Sequence, residues 1–215
     1  MKKAEKRLVL LGAGGHCKSV LDAVLRRKQY NKIYITDPDI LRGTSIMGCP
    51  VIGDDTVLPK LFQEGVQEAF ITVGSIKDTS LRYKLYHNAR NIGFTFPNIV
   101  DPSANVSAFA TLADGIFIGK NVVVNAGASI GKMSILNSGS IVEHECVVGE
   151  FSHIAVGAVL CGNVVVGDHT FVGANATVIQ GIRIGAKSVI GAGSVVLGNV
   201  TTSFSALGLY KGETL

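Results

Sequence analysis

The sequence predicts two joined folds. Residues 1–98 read as a small Rossmann-like α/β unit on a parallel sheet, and residues 99–215 as a parallel β-helix of hexapeptide repeats. Three observations carry this reading. From Val106 every sixth residue is aliphatic, through Leu112, Ile118 and Val124 to Val196, and the phase never breaks. Ahead of the repeat, apolar runs of strand length alternate with stretches of helical spacing. Glycine, 26 of 215 residues, is in excess without a collagen period, which a repeat with many turns explains.

In chain order, Arg7–Leu11 is an apolar strand that ends in Gly12-Ala13-Gly14-Gly15-His16. Val20, Leu21, Val24 and Leu25 then recur at helical spacing. Lys32–Thr36 reads as a strand ending at Asp37, Thr56–Gln63 as a helix, Ala69–Gly74 as a strand and Ser80–Asn91 as a helix. Strands alternating with helices imply a parallel sheet. The boundary to the repeat falls near Asn98–Pro102. A glycine-rich turn between a first strand and helix is where such sheets bind phosphates, because the helix start offers free N–H groups and the positive end of its dipole. The dinucleotide pattern G-x-G-x-x-G is not met, since Cys17 holds the third glycine position. With Asp37 closing the second strand, the unit suits one nucleotide better than two. A purely structural turn is the alternative.

Each hexapeptide supplies one short strand and a turn, and three make a triangular coil, about five coils over residues 100–198. The aliphatic residue points inward and stacks on its equivalents. Two positions before it sits a small residue, as at Ala104, Ala128, Ser134, Cys146 and Ala176. Glycine often follows it, as at Gly119, Gly131, Gly149, Gly167 and Gly173, where a corner of positive φ is expected. A β-sandwich would alternate with period two and has no reason to hold period six.

Hydrophobic residues at 47% against 17% charged argue for a packed core and against disorder. The formal net charge of +4 suits anionic small molecules such as nucleotides and coenzyme A, and is too scattered for nucleic acid. Cys17, Cys49, Cys146 and Cys161 form no CxxC or zinc spacing, which fits reduced thiols in a cytoplasmic protein. The basic start MKKAEKRLVLLGAGG has too short an apolar run for a signal peptide, and no stretch is long enough to span a membrane.

The block GAGGHCKSV, the strand end Val73-Gly74-Ser75 and the run NSGSIVEHECVVGEFSHIAVGAVLCGNVVVG resemble bacterial nucleotide-sugar N-acetyltransferases of the bacillosamine-pathway type, within the sialic acid O-acetyltransferase-like hexapeptide-repeat superfamily. The resemblance covers nearly the whole chain. It implies a left-handed β-helix, a homotrimer with sites between neighbouring subunits, acetyl-CoA as co-substrate with no tightly bound cofactor, and a UDP-linked 4-amino-4,6-dideoxy sugar as acceptor. By the same resemblance His144 is the general base, Glu145 the carboxylate that strengthens it, and Asn137 lies near the acceptor. His153 contacts the acetyl thioester, and the backbone at Ala174 and Ala192 lines the coenzyme arm. Gly14, Gly15, His16, Thr36, Asp37 and Gly74 hold the nucleotide and its diphosphate. The chain departs from the pattern in a longer stretch from Gly74 to Arg82 and in its C-terminal tail SFSALGLYKGETL.

The chemistry itself asks for a deprotonated amine and a polarised thioester. Histidine is the natural base near neutral pH, and no covalent intermediate is needed, so Cys146 reads as structural. His169, in a turn, and His87, on a helix, read as surface residues. A metalloenzyme using His144, His153 and His169 is disfavoured, because the three occupy different positions in their hexads. The rivals within enzymes are a sialic-acid-type O-acetyltransferase and an acetyltransferase for a GDP- or dTDP-linked amino sugar.

Overall fold

The computed structural model describes residues 5–76 and 78–212. The first four residues of the basic start and the last three of the tail lie outside them. The described chain divides into two compact units. One comprises residues 5–74 and 80–99, the other residues 100–212 with Ser75, Ile76, Asp78 and Thr79.

Among its described residues the first unit has the strands β1 (Arg7–Leu11), β2 (Lys32–Thr36), β3 (Ser45–Ile46), β4 (Cys49–Pro50) and β5 (Glu68–Ile71). β1 lies between β2 and β5, and all three run parallel. Leu8 to Leu11 are wholly buried, as expected for a central parallel strand with both faces covered. Helix α1 (Gly15–Arg27) buries Cys17, Val20, Leu21, Ala23 and Val24, while Leu25 stays exposed. It ends at Lys28 in the left-handed region, with Arg26 and Arg27 in the last turn to complement the dipole. The helix expected from Thr56 begins as a 3-10 turn (Asp55–Val57) capped by Asp54, and becomes α2 only at Leu58–Gln63. Helix α3 is Ser80–Ile92. The strand expected over Ala69–Gly74 stops at Ile71, and the hairpin of β3 and β4 was not foreseen.

The second unit is a left-handed parallel β-helix with three faces. The first face stacks Ile99–Val100, Phe117–Ile118, Ile135–Leu136, His153–Ile154, Phe171–Val172, Val189–Ile190 and Ser205–Ala206. The second face stacks Asn105–Val106, Val123–Val124, Ile141–Val142, Val159–Leu160, Thr177–Val178, Val195–Val196 and Leu209–Tyr210. The third stacks Thr111–Leu112, Ser129–Ile130, Val147–Val148, Val165–Val166 and Arg183–Ile184. The repeat therefore begins where expected, one unit before the aliphatic series that starts at Val106, and continues unevenly past Val196. The second residue of each strand points inward, and from Ile118 to Val196 every such residue is buried. Each buried side chain contributes about 1.5–3 kcal/mol.

Two corner features differ from expectation. The left-handed position is not the glycine after the inward residue but the residue three places after it. Every sixth residue from Gly115 to Gly193 has φ between +54° and +75°, including Met133, Glu145, Phe151 and Lys187. Gly149, Gly167, Gly173 and Gly185 have no such φ. A Cβ on any of them would lie 2.4 to 2.5 Å from a backbone nitrogen of the next coil, so close approach requires the glycine. From Ala128 to Ser194 the small residues before the inward one are buried, whereas Ala104 and Ala110 in the first coil are only partly so. At the corner between the third and first faces they form a ladder: Ser134, Ser152, Thr170 and Ser188 donate to Gly149, Gly167, Gly185 and Thr201 carbonyls at 2.8 to 2.9 Å. Among the described residues no helix is long and apolar enough to cross a membrane.

Candidate active site

The first unit holds a cavity of about 330 Å³ at the C-terminal ends of its parallel strands, where open α/β sheets take ligands. Gly14, Gly15, His16, Thr36, Asp37 and Gly74 all line it, so the sequence-predicted nucleotide residues are gathered at one place. β1 delivers the loop at Gly12, where a φ of +108° favours glycine and an added Cβ would lie 2.7 Å from Val73 Cγ2. The loop is fastened to the end of β2: Gly12 N–H donates to Thr36 O at 2.8 Å, and Ala13 N–H to Asp37 Oδ2 at 2.7 Å. Asp37 Oδ1 accepts from Asp39 N–H at 2.9 Å. Helix α1 starts with no side-chain cap and no acidic residue in its first turn. At Gly14 and Gly15 neither φ nor crowding within the chain demands glycine. Burial pushes the Cys17 thiol, at the third glycine position, up to about 11. Sequence reasoning missed Asp55, which accepts from Thr36 Oγ1 at 2.6 Å, and the apolar wall of Leu81 and Leu85. Only the folded chain brings those three to the loop.

In the β-helix, His144 and Glu145 are the central residues of the turn between the second and third faces, and both are exposed. Cys146 N–H closes that turn on Glu143 O, and Glu145 takes the left-handed position at φ +58°. The two side chains diverge. The His144 ring lies against Gly162 of the following coil, and Glu145 leans over Gly127 of the preceding one. The carboxylate that touches the histidine is Glu143. Its Oε2 accepts from His144 backbone N–H at 3.2 Å and from Asn125 Nδ2 at 2.9 Å. Cys146 is buried, donates to Cys161 O at 3.1 Å, and burial raises its thiol pKa.

His153 projects outward from the first face, one coil from Phe171, and the two rings meet edge to face with centroids 5.2 Å apart. Its Nδ1 lies 3.0 Å from Ser75 O. A carbonyl only accepts, so in the neutral ring Nδ1 carries the proton and Nε2, 3.5 Å from Asn137 Nδ2, is the acceptor. Asn137 sits at the corner between the first and second faces, and Ala174 and Ala192 stack in that corner two and three coils further on. There the second turn residue keeps its N–H out of the coil-to-coil ladder. Asn137 Oδ1 caps the one on Ser138, but Ala174 and Ala192 follow glycines that offer no cap. The chain thus joins Asn137, His153, Ala174 and Ala192 on one side, and His144 with Glu145 on the next corner. It does not bring the two groups together. His169, expected at the surface, is instead half-buried, stacked on Phe151 with centroids 5.4 Å apart and bonded through Nδ1 to Thr79 Oγ1 at 2.7 Å. His87 is exposed on α3. Among the described residues no group of three His, Cys, Asp or Glu side chains is arranged to hold a metal ion.

Residues 7–89 match the family model of the PglD N-terminal domain, and residues 163–197 that of the hexapeptide repeat of succinyl-transferase. A solved structure of a histidine-to-alanine mutant of GDP-perosamine N-acetyltransferase from Caulobacter crescentus, bound to CoA and GDP-perosamine, is 35% identical. The match covers 96% of this chain and 95% of that one, with a TM-score of 0.89. The acetyltransferase domain of PglB from Neisseria gonorrhoeae, in complex with acetyl coenzyme A, is 30% identical over 95% of this chain and 97% of that one, also at 0.89. WeeI from Acinetobacter baumannii, 21% identical over 94% and 97%, shares the fold at 0.77. The chain belongs to the hexapeptide-repeat, left-handed β-helix nucleotide-sugar N-acetyltransferases, a family of acyl-CoA-dependent acyltransferases.

Proposed function

We propose that this enzyme acetylates the amino group of a GDP-linked amino sugar, using acetyl-CoA. The observation that carries the choice of nucleotide is the 35% identity, over 95% of its length, to an enzyme solved with GDP-perosamine. The sequence reading favoured a UDP-linked sugar. The resemblance carried by the GAGGHCKSV block and the hexapeptide run keeps that acceptor as the second reading.

In this reading the first unit holds the nucleotide. Gly14 and Gly15 are glycines that the chain's own packing does not require, and they open the helix start to a diphosphate. Thr36, Asp37 and Gly74 border the same cavity, with His16 beside them. The sugar amine attacks the thioester carbonyl, and His144 takes the proton that the nitrogen sheds. The C–S bond breaks, and the proton passes to the departing thiolate to give free CoA. Glu145 tunes the base from a neighbouring position, Asn137 and His153 meet the reacting groups, and the N–H groups of Ala174 and Ala192 line the coenzyme arm.

Because His144 and the Asn137–His153 group lie on different corners, the reaction calls for a second copy. A homotrimer with sites between subunits meets that need. The outward residues Val123, Ile141, Val159 and Val195 of the second face are apolar, in keeping with such packing.

The test is an acceptor panel. GDP-perosamine, a UDP-linked 4-amino-4,6-dideoxy sugar and its dTDP counterpart are each assayed for CoA release, with mass and NMR analysis of the product. The GDP sugar should turn over with the highest kcat/KM and carry its acetyl group on nitrogen. A preference for the UDP sugar would establish the second reading, and an O-acetylated product would overturn both.

A further inference from the structure

We propose that Gly162 is a positioning residue for His144: the side chain it lacks is the space in which the imidazole sits. One coil of eighteen residues separates them, so Gly162 follows His144 directly along the corner between the second and third faces. A Cβ built on Gly162 would lie 2.5 Å from His144 Nε2, 2.6 Å from Cε1 and 3.3 Å from Cδ2. Those three ring atoms are its nearest neighbours. Carbon atoms do not approach so closely, and the ring would have to move.

Gly162 differs in this from most other glycines of the helix; Gly191, crowded by the Leu207 side chain, is the nearest parallel. At Gly149, Gly167 and Gly185 backbone of the next coil bars a side chain, and at Gly139 and Gly181 a positive φ favours glycine. Neither holds at Gly162. Its φ lies outside the left-handed region, and no backbone atom is among its three nearest neighbours. Of the three atoms nearest a methyl group there, all belong to the imidazole.

The rest of the corner aims the ring the same way. Glu143 Oε2 holds the backbone N–H of His144 at 3.2 Å, and is itself held by Asn125 Nδ2 at 2.9 Å. Glu145 folds back over Gly127, its Cγ 3.1 Å from where a Cβ would be, and leaves the side toward Gly162 to His144. A base displaced by about 1 Å can lose on the order of 10²-fold in rate.

The effect on catalysis rests on His144 being the base, whereas the seat itself does not. Three variants separate the two: Gly162→Ala, His144→Ala and the double variant. Each is assayed for CoA release with the best acceptor of the panel and followed by the imidazole ¹H–¹⁵N spectrum. Gly162→Ala should lower kcat by about tenfold or more, leave both KM values within about twofold, and shift the His144 ring resonances. In the His144→Ala background the same substitution should cost nothing further, since no ring remains to displace. An unchanged kcat, equal losses in both backgrounds, or unmoved His144 resonances would overturn the proposal. Should Gly162→Ala fail to fold, the double variant decides. Folding restored by removing the ring supports the seat, and failure of both means that backbone excludes the methyl and ends it. A fully active His144→Ala enzyme would instead remove the base, leaving the resonances to report on the seat alone.

Discussion

His144 and Glu145 adjoin in sequence and part in space, one ring against Gly162, the other chain over Gly127. If His144 is the proposed base and acts chiefly in the transition state, its replacement by alanine is expected to lower kcat by about two orders of magnitude, with little change in either KM, as steady-state kinetics would show. Glu145→Ala should cost less, because among the described residues no hydrogen bond ties its carboxylate to the ring. A loss equal to that of His144→Ala would mean that Glu145 transfers a proton itself. Asp37 is a different case, since both its oxygens hold backbone N–H groups of the loop and the strand end. Asp37→Ala removes charge-assisted bonds and loosens the cradle, so the nucleotide-sugar KM should rise by roughly tenfold or more while that of acetyl-CoA holds. An equal rise in both would separate the first unit from nucleotide binding. At this scale the sequence was legible wherever a residue announces its chemistry, as a glycine loop or a histidine does. Asp55 and Leu81 were not, because they join the cavity only through folding, and Gly162 was not, because its partner is a side chain one coil away.

Among elements, the strands β1 and β2 and the face-by-face stacking could be read from periodicity alone, since one inward residue in six is a demand of the coil itself. What the period does not disclose is why a glycine stands at a given place. Two causes operate in neighbouring positions. Gly167 is required by Ala186 backbone, whose nitrogen would lie 2.5 Å from an added Cβ, and Gly139 is favoured by its φ of +68° in otherwise open space. Left-handed corners also accept Met133, Phe151 and Lys187, so glycine there is a preference worth on the order of 1 kcal/mol rather than a necessity. Gly167→Ala should therefore destabilise by about 1–3 kcal/mol or more, as overpacking does, and Gly139→Ala by about 1 kcal/mol. Unfolding midpoints taken at one scan rate would rank them. The reverse order would mean that the coils can separate to admit a methyl group. The hairpin of β3 and β4 escaped the sequence for a simpler reason: two-residue strands around Met47-Gly48 offer no alternation to detect.

For the whole molecule, the placement of the candidate residues makes a quantitative demand. His144 stands on one corner of the prism, and His153 with Asn137 on a face and corner that the same chain does not bring to it. If each site pairs the His144 of one subunit with the His153 of its neighbour, His144→Ala and His153→Ala trimers are both impaired, for complementary reasons. Mixed trimers then hold both intact groups. Around a closed ring of three, whichever variant is in the majority, one of the three subunit junctions joins an intact His144 to an intact His153. Equal co-expression and random assembly should restore about a quarter of the wild-type sites. The assay is kcat per subunit of the co-expressed, tagged and purified hetero-oligomer, against each variant alone and against the two mixed after folding. Recovery near that level supports a site shared across a trimer. No recovery, with light scattering still reporting three subunits, would place the whole reaction within one chain. A monomeric mass with full wild-type activity would remove the trimer and the shared site together.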